Sequence, residues 1–559
     1  MLRVFMDYYW SAILIFFGGL GMFLYGMNRM AEGMQKLAGD RLRKFLEALS
    51  ENKLVAILVG AVITAVIQSS TGTTIMMVGF VNAGILSLQQ SVGVIMGANI
   101  GTTVTAWLVS IMQYENNLLS YLIASCMVGI GAFMLMYLKT EKRKVIAEVI
   151  FGIGTLFAGF YTMANAVQTY GNVAYAVQVF QKLGQYPLLA IVLGMLVTAV
   201  LQSSSVSIGM LQCFAILGIV NWKTAVFVII GQNIGTCVAA VISSAGAQNN
   251  AKRSALIHLF FNIFGAVVFG IGMGVLFHRH LSFAVSAVSA IEIAAFHSAF
   301  NVVCAMLLYP FINGIAKLSD FLIKSSEKEE AEEETEDDAE IASRHLDKRI
   351  LESPYFAVAE ANQEVVHMGE VAYEAAKLAF DAIISRDEQK LRMVFEKEEI
   401  LDKMTDVISN YLIKLSTLSL TEEQHTVITN LFCTVSNFER MGDHSENLAE
   451  LCNYMIDNDI YFSEPAYKEL EGIMEIVTNS FVYSIRARRD LSEESAKKAK
   501  HYEDLVDSIE DELRKKHMKR MAGELCKPTS GVVFLDILSN LERISDHADN
   551  VAGYVLHEL

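Results

Sequence analysis

Apolar positions fall into runs of two lengths. Tyr8 to Met27 and the stretches near 91–112, 118–138, 147–167, 224–244, 254–278 and 283–310 are long enough, as helices, to cross a bilayer core of about 30 Å. Leu54 to Ile67 and Leu188 to Leu201 are shorter; as helices they reach only about 21 Å. Each short run stops at a polar cluster, Gln68-Ser69-Ser70-Thr71-Gly72-Thr73-Thr74 and Gln202-Ser203-Ser204-Ser205-Val206-Ser207. A run too short to cross and broken by hydroxyls predicts a re-entrant hairpin of two half-helices turning at Gln-Ser-Ser, over 54–85 and 188–220.

The clusters lie 134 residues apart, and each is followed 31 residues later by a second break, Asn99-Ile100-Gly101-Thr102 and Asn233-Ile234-Gly235-Thr236. Gly21 to Gly26 and Gly154 to Gly159 share a weaker likeness at an offset of 133. The chain therefore reads as two repeats, about 10–138 and 147–278, with an extra span at 283–310. Span, hairpin, span, span makes an odd number of crossings, so the second repeat enters the membrane inverted. Charge agrees: with Lys139, Lys142, Arg143 and Lys144 in the cytoplasm, the 29–53 connection (Arg29, Lys36, Arg41, Arg43, Lys44, Lys53), Lys252-Arg253 and the C-terminal part also fall there. The sparsely basic 168–186 loop falls outside, and both hairpin tips then meet near the midplane.

Composition divides the chain. Residues 1–320 hold 17 Lys and Arg against 10 Asp and Glu, and residues 321–559 hold 27 against 51. The fold class is all-α: a polytopic membrane transport domain over 1–320, an acidic linker over 321–350 and a soluble helical domain over 351–559. Breaks near Thr421, Ser463-Glu464-Pro465 and Lys527-Pro528 divide the last into six helices in two three-helix halves. The acidic balance excludes nucleic acid as a partner. The seven cysteines show no metal or disulfide spacing. The first span, lacking a small-residue cleavage site, reads as a retained transmembrane helix.

A Gln-Ser-Ser at the start of a half-helix sets hydroxyls beside unpaired backbone N–H groups, where the helix dipole favours an anion. The carbonyls and side chains of Asn99, Thr102, Thr103, Asn233 and Thr236 are hard oxygen ligands for a small cation. Gln68, Ser69, Ser70, Thr71, Thr73, Gln202, Ser203, Ser204 and Ser205 complete the expected binding set. His258, His297 and Glu292 also interrupt apolar spans, but hydrogen bonding inside a bundle accounts for them and they stay outside that set. The doubled Gln-Ser-Ser hairpins with trailing Asn-Ile-Gly-Thr resemble the type II sodium-dependent phosphate cotransporter family, over roughly residues 10–310. The resemblance implies phosphate uptake coupled to sodium by alternating access, with Gln68, Ser69, Ser70, Gln202, Ser203 and Ser204 as substrate and sodium contacts. Thr71, standing where the second copy has Ser205, keeps the hydroxyl.

In the soluble part, Glu398, Asp402 and Asp406 form one i,i+4 stripe and Glu503, Asp507 and Asp511 another. Each is followed by a companion, Glu439-Arg-Met-Gly-Asp443-His444 and Glu542-Arg-Ile-Ser-Asp546-His547. Like charges at this spacing repel, so four registered stripes suit a metal cluster or a basic partner better than a solvated face. They resemble the PhoU family of helical regulators associated with phosphate uptake, over about 351–557, and the resemblance implies a divalent or trivalent metal held by these carboxylates. Expected partners are phosphate, sodium, the bilayer of the cytoplasmic membrane, a second copy in a homodimer and a cytoplasmic regulatory partner. No nucleotide-binding loop is present and no enzyme activity is expected. The rival readings are a membrane-anchored phosphate sensor, an exporter, a transporter of another oxyanion, and coupling to protons through Glu292.

Overall fold

The structure, a computed structural model, describes residues 2–39, 52–111, 117–170, 173–279, 282–324, 338–523 and 527–559. Among these residues the regular elements are helices, with a single isolated β-bridge between Asn221 and Ala287. Arg41, Arg43, Lys44 and the acidic run over 327–337 lie outside the described residues.

The chain divides into two compact units, Met1–Glu327 with Asp347–Tyr355, and Lys328–Leu346 with Phe356–Leu559. In the first, α1 (Leu2–Ala38) leads to the half-helices α2 (Lys53–Ile67) and α3 (Ser70–Asn82), then α4 (Leu88–Gly101), α5 (Thr103–Ser110) and α6 (Asn117–Tyr137). The second half runs α7 (Glu141–Tyr170), α8 (Val173–Gln185), α9 (Pro187–Leu201), α10 (Ser204–Ile216), α11 (Trp222–Gly235), α12 (Cys237–Ser243) and α13 (Asn249–His278), with α14 (Ala290–Leu308) and α15 (Ile312–Leu322) beyond. Among the described residues seven helical stretches are long and apolar enough to cross a membrane, while Lys53–Ile67 and Ser204–Ile216 are apolar but short.

Three stretches differ from the sequence expectation. Helix α1 continues through Arg29 and Lys36, whose ammonium pairs with Glu148 at 3.2 Å. Helix α7 begins at Glu141, so the basic cluster Lys142 to Lys144 forms its first turn. The 168–186 connection contains α8, bent by 114° from α9. Its apolar Val173, Val177, Phe180 and Leu183 follow a helical period and pack on the buried core around Phe227 and Ile230.

The repeat is visible as packing. Gly97 of α4 lies so near the Ile57 carbonyl of α2, and Gly231 of α11 so near the Ile191 carbonyl of α9, that a Cβ at either would overlap that oxygen. The two glycines are 134 residues apart, and each lets a half-helix press directly on the helix that carries the Asn-Ile-Gly-Thr break.

The second unit begins with α16 (Asp338–His345) and continues as six long helices, α17 (Pro354–Ser385), α18 (Glu388–Ser416), α19 (Glu422–Asp457), α20 (Glu464–Asp490), α21 (Glu493–Ala522) and α22 (Pro528–Glu558). Capping residues explain the boundaries: Asp387, Thr421 and Ser492 each accept a backbone N–H of the following helix, and proline opens α17 and α22. Arg488 is buried and makes a two-pronged pair with Glu558 at 2.6 and 2.8 Å, closing the C-terminal helix onto α20.

Candidate functional site

Both hairpins turn in the same way. Gln68 sits at φ 60°, ψ 18° and Gln202 at φ 52°, ψ 20°, left-handed conformations that cost a non-glycine residue roughly 1 kcal/mol. The next residue returns to extended backbone, Ser69 at φ −141° and Ser203 at φ −145°. Ser69 Oγ accepts the Gly72 N–H at 2.9 Å and Ser203 Oγ accepts the Val206 N–H at 3.3 Å. The paired motifs thus encode a left-handed stop and a serine cap, which leaves the first turns of α3 and α10 presenting N–H groups and hydroxyls at the tips.

One residue joins the tips. Thr105 Oγ1 donates to Gln68 Oε1 at 2.7 Å and accepts from Ser205 Oγ at 3.3 Å. Around this bridge, Thr102 Oγ1 donates to Ser70 Oγ at 3.3 Å, Thr73 Oγ1 donates to the Ser69 carbonyl at 2.9 Å, and Thr64 Oγ1 donates to Thr73 Oγ1 at 3.0 Å. Ser70, Thr71, Thr73, Ser204 and Ser205 are buried, as is Gln68, whereas Gln202 is exposed and Ser69 and Ser203 are intermediate.

Asn99 and Asn233 are buried, with their side chains held by imidazoles. His258 Nε2 lies 3.2 Å from Asn99 Oδ1, and His297 Nε2 lies 3.1 Å from Asn233 Oδ1. The Asn99 amide donates to the Ile95 carbonyl at 3.2 Å, and Thr236 Oγ1 donates to the Asn233 carbonyl at 2.6 Å. Glu292 caps α14, accepting the Ser289 N–H at 2.7 Å. Thr105 and Gln212 escaped the sequence reading. Gln212 Nε2 is buried against the Ala106 carbonyl at 2.9 Å, Ser110 Oγ at 3.0 Å and the Ala290 carbonyl at 3.1 Å. At an offset of 134 their counterparts are Ala239 and Val78, so a search for repeated polar positions passes over both.

In the helical unit, ligand oxygens of Glu503, Asp507 and Asp546 lie within 4.8 Å of one another. Burial, then the carboxylates of Asp507, Asp549, Asp504 and Asp546, pushes the Glu503 carboxyl up to about 7. Burial, then Glu446, Asp402 and Asp443, does the same to Glu398. Glu439 and Glu542 are raised too, first by burial and then by Asp443 and Asp546 respectively. Asp406 is exposed, and Asp511 is exposed and ion-paired to Lys515. Glu446 and Asp549, which occupy matching places in the two companion motifs, belong with the carboxylate groups although the stripe spacing omits them. Between the groups, His444 and His547 stack at 5.7 Å; His444 contacts Asn540 and His547 contacts Asn437, each at 2.9 Å. All-oxygen donors drawn together in this way fit a hard multivalent cation.

Residues 22–165 and 167–297 match the Na+/Pi-cotransporter family, and residues 365–452 and 470–555 match the PhoU domain. The uncharacterized protein YqeW of Bacillus subtilis (strain 168) is 30% identical over 327 residues, covering 56% of this chain and 98% of the relative. The chain belongs to the Na+/Pi-cotransporter family. It is a multi-pass membrane protein with a PhoU domain appended. YjbB of Escherichia coli (strain K12), provisionally named an inorganic phosphate export protein, is 24% identical over 82% of this cotransporter-family chain and 81% of its own length. Sodium-dependent phosphate transport protein 2B of Homo sapiens is 31% identical over 113 residues, 18% of this chain and 16% of that protein.

Proposed function

We infer that the protein moves inorganic phosphate across the cytoplasmic membrane with sodium, by alternating access, and that its PhoU-like unit lies in the cytoplasm and regulates the movement. The observation that carries this reading is the bridge through Thr105, which joins two serine-capped half-helix tips from opposite repeats at one place. Phosphate would be held by the first turns of α3 and α10, with Ser69, Ser70, Thr71, Thr73, Ser203, Ser204 and Ser205 donating hydroxyls and Gln68 and Gln202 shaping the tips. Sodium would take oxygens around the breaks at Asn99 to Thr102 and Asn233 to Thr236. None of the residues assigned to the site is an arginine or lysine, so hydroxyls and backbone N–H groups would meet the anion's charge.

In the PhoU-like unit, Glu398, Asp402, Glu439 and Asp443 would hold one metal group and Glu503, Asp507, Glu542 and Asp546 another. Bound cations would relieve the burial and the like-charge repulsion that raise the Glu398, Glu439, Glu503 and Glu542 carboxyls.

The test is flux of labelled phosphate into proteoliposomes holding the full chain, with and without an inward sodium gradient and with sulfate as competitor. Sodium-dependent accumulation resistant to sulfate is expected; flux that ignores sodium would remove the coupling. A second reading, export, draws on the likeness to YjbB across most of both chains. Efflux from preloaded vesicles, driven by an outward sodium gradient and exceeding influx under the mirrored gradient, would favour it.

A further inference from the structure

The 3₁₀ turn Lys348–Glu352, with its flanks, belongs to the membrane unit although chain on both sides of it belongs to the helical unit. It lies along α3, the second half-helix of the first hairpin. Gly79 makes room for it: a methyl group there would approach Arg349 Cβ at 3.0 Å and Ile350 Cγ1 at 3.2 Å. Two helical turns earlier on the same face, a methyl group at Gly72 would lie 3.2 Å from Ser69 Oγ and 3.6 Å from Glu352 Oε2. The Glu352 carboxylate therefore stands at the first turn of α3, beside the capping serine.

The segment is anchored. Asp347 accepts from Asn82 Nδ2 at 2.8 Å and from the Arg349 N–H at 2.8 Å. The Arg349 guanidinium pairs with Asp347 and donates through Nε to the Ser243 carbonyl at 2.7 Å. Asn82 ends α3 and Ser243 ends α12, so the segment ties an element of the first repeat to one of the second. Within the segment Ile350 and Ser353 are buried, whereas Glu352 is exposed. The second hairpin has no room for such a companion, because Val206 and Cys213 stand where the first has Gly72 and Gly79.

Resting on the reading of the two tips as a phosphate site, we propose that residues 347–355 form an autoinhibitory strap, in which Glu352 sets a negative charge at the anion-binding turn of α3 and the strap must lift before that hairpin can move. A carboxylate near this end of a helix feels the same dipole as a phosphate oxygen and competes with it. The strap follows α16 and includes the first residues of α17, so movement of the helical unit can pull on it through the chain alone. This gives the PhoU-like unit a direct mechanical hold on the transport site.

The experiment compares phosphate flux and its half-saturating concentration in proteoliposomes of the full chain, wild type against Glu352→Gln. Removing the charge at constant size is expected to lower half-saturation at least threefold or to raise flux by that factor. Unchanged values, or loss of flux, overturn the strap. A second protein carries Asn82→Cys with Asp347→Cys, replacing the anchoring bonds of Asp347 to Asn82 and Arg349 by a pair that oxidation can lock. Its reduced form is expected to exceed wild type and its oxidised form to fall at least tenfold below the reduced form; equal rates overturn the proposal. If no form moves phosphate under any gradient, the transport reading itself has failed and the strap falls with it. If wild type transports but these variants do not differ from it, only the strap has failed.

Discussion

His297 Nε2 lies 3.1 Å from the carboxamide oxygen of Asn233, the asparagine of the second Asn-Ile-Gly-Thr break. His258 treats Asn99 alike at 3.2 Å, so each break is braced by an imidazole from a helix outside it. Replacing either histidine by leucine strands a buried carboxamide oxygen, a loss of about 1–3 kcal/mol. Glutamine, which also carries a donor, should recover most of it. Thermal unfolding in detergent, measured beside sodium-dependent flux, checks both expectations, and equal stability for leucine and glutamine would contradict the bracing role.

Thr105→Val keeps the shape of the side chain and removes the hydroxyl between Gln68 and Ser205. Loss of two buried hydrogen bonds, roughly 1 kcal/mol each, should reduce phosphate flux by about tenfold or more, with helix content unchanged. Thr105→Ser should restore it. The comparison is made by initial rates at saturating sodium.

Ser69→Ala and Ser203→Ala each remove a helix cap as well as a hydroxyl facing the tip. The cap alone is worth about 1 kcal/mol, too little to unfold the chain, yet either change should abolish phosphate uptake. Normal uptake in both, with normal folding by circular dichroism, would dismantle the two-tip site.

The helical unit should hold metal. The full chain, purified gently, is expected to retain stoichiometric metal by elemental analysis, and Glu503→Gln with Asp507→Asn should lower that content while the Glu398 group keeps its share. Chelation should lower the unfolding temperature of this unit, because removing a cation restores repulsion among the carboxylates.

Glu364 sits between His345 at 2.5 Å and His367 at 3.3 Å. Burial alone would raise its carboxyl, but the two imidazoles outweigh burial and hold it below the usual range; Glu364 in turn raises His367. The raised imidazole contributes stability in full below its ordinary value of about 6.5, lost as pH rises through the folded value. The lowered carboxyl contributes above about 4.3, lost as pH falls through its folded value. Attachment of α16 to α17 should therefore be firmest between these limits and loosen on the alkaline side. Hydrogen exchange over 338–345 from pH 5 to 8 measures this, and His367→Gln should flatten the profile.

Helix breaks announced themselves in the sequence because each needs a residue of a particular kind: Gln68 and Gln202 at the stop, Ser69 and Ser203 at the cap, Thr421 and Pro528 between long helices. The carboxylate groups were legible for a similar reason, since i,i+4 spacing alone puts Glu503 and Asp507 on one face. What sequence could not disclose was pairing at a distance. Thr105 is an unremarked hydroxyl until the fold sets Gln68 37 positions before it and Ser205 100 positions after it. Likewise α8 looked like a loop, because its apolar face is narrow and needs the core of the second half to give it meaning. Residues 347–353 straddled the expected boundary at 350 between linker and helical domain, and the glycines that receive them lie about 270 positions earlier.

Thr105 has Ala239 as its counterpart at the repeat offset of 134, and this mismatch bears on the proposed alternating access. In a molecule whose halves were interchangeable, the conformation open to one side and its mirror would be equally populated, and gradients alone would set the direction of traffic. A hydrogen bond of about 1 kcal/mol that only one of the two conformations kept would skew that balance about fivefold. On the proposed alternating-access cycle, Thr105 would therefore give the chain a preferred resting side before any ion binds.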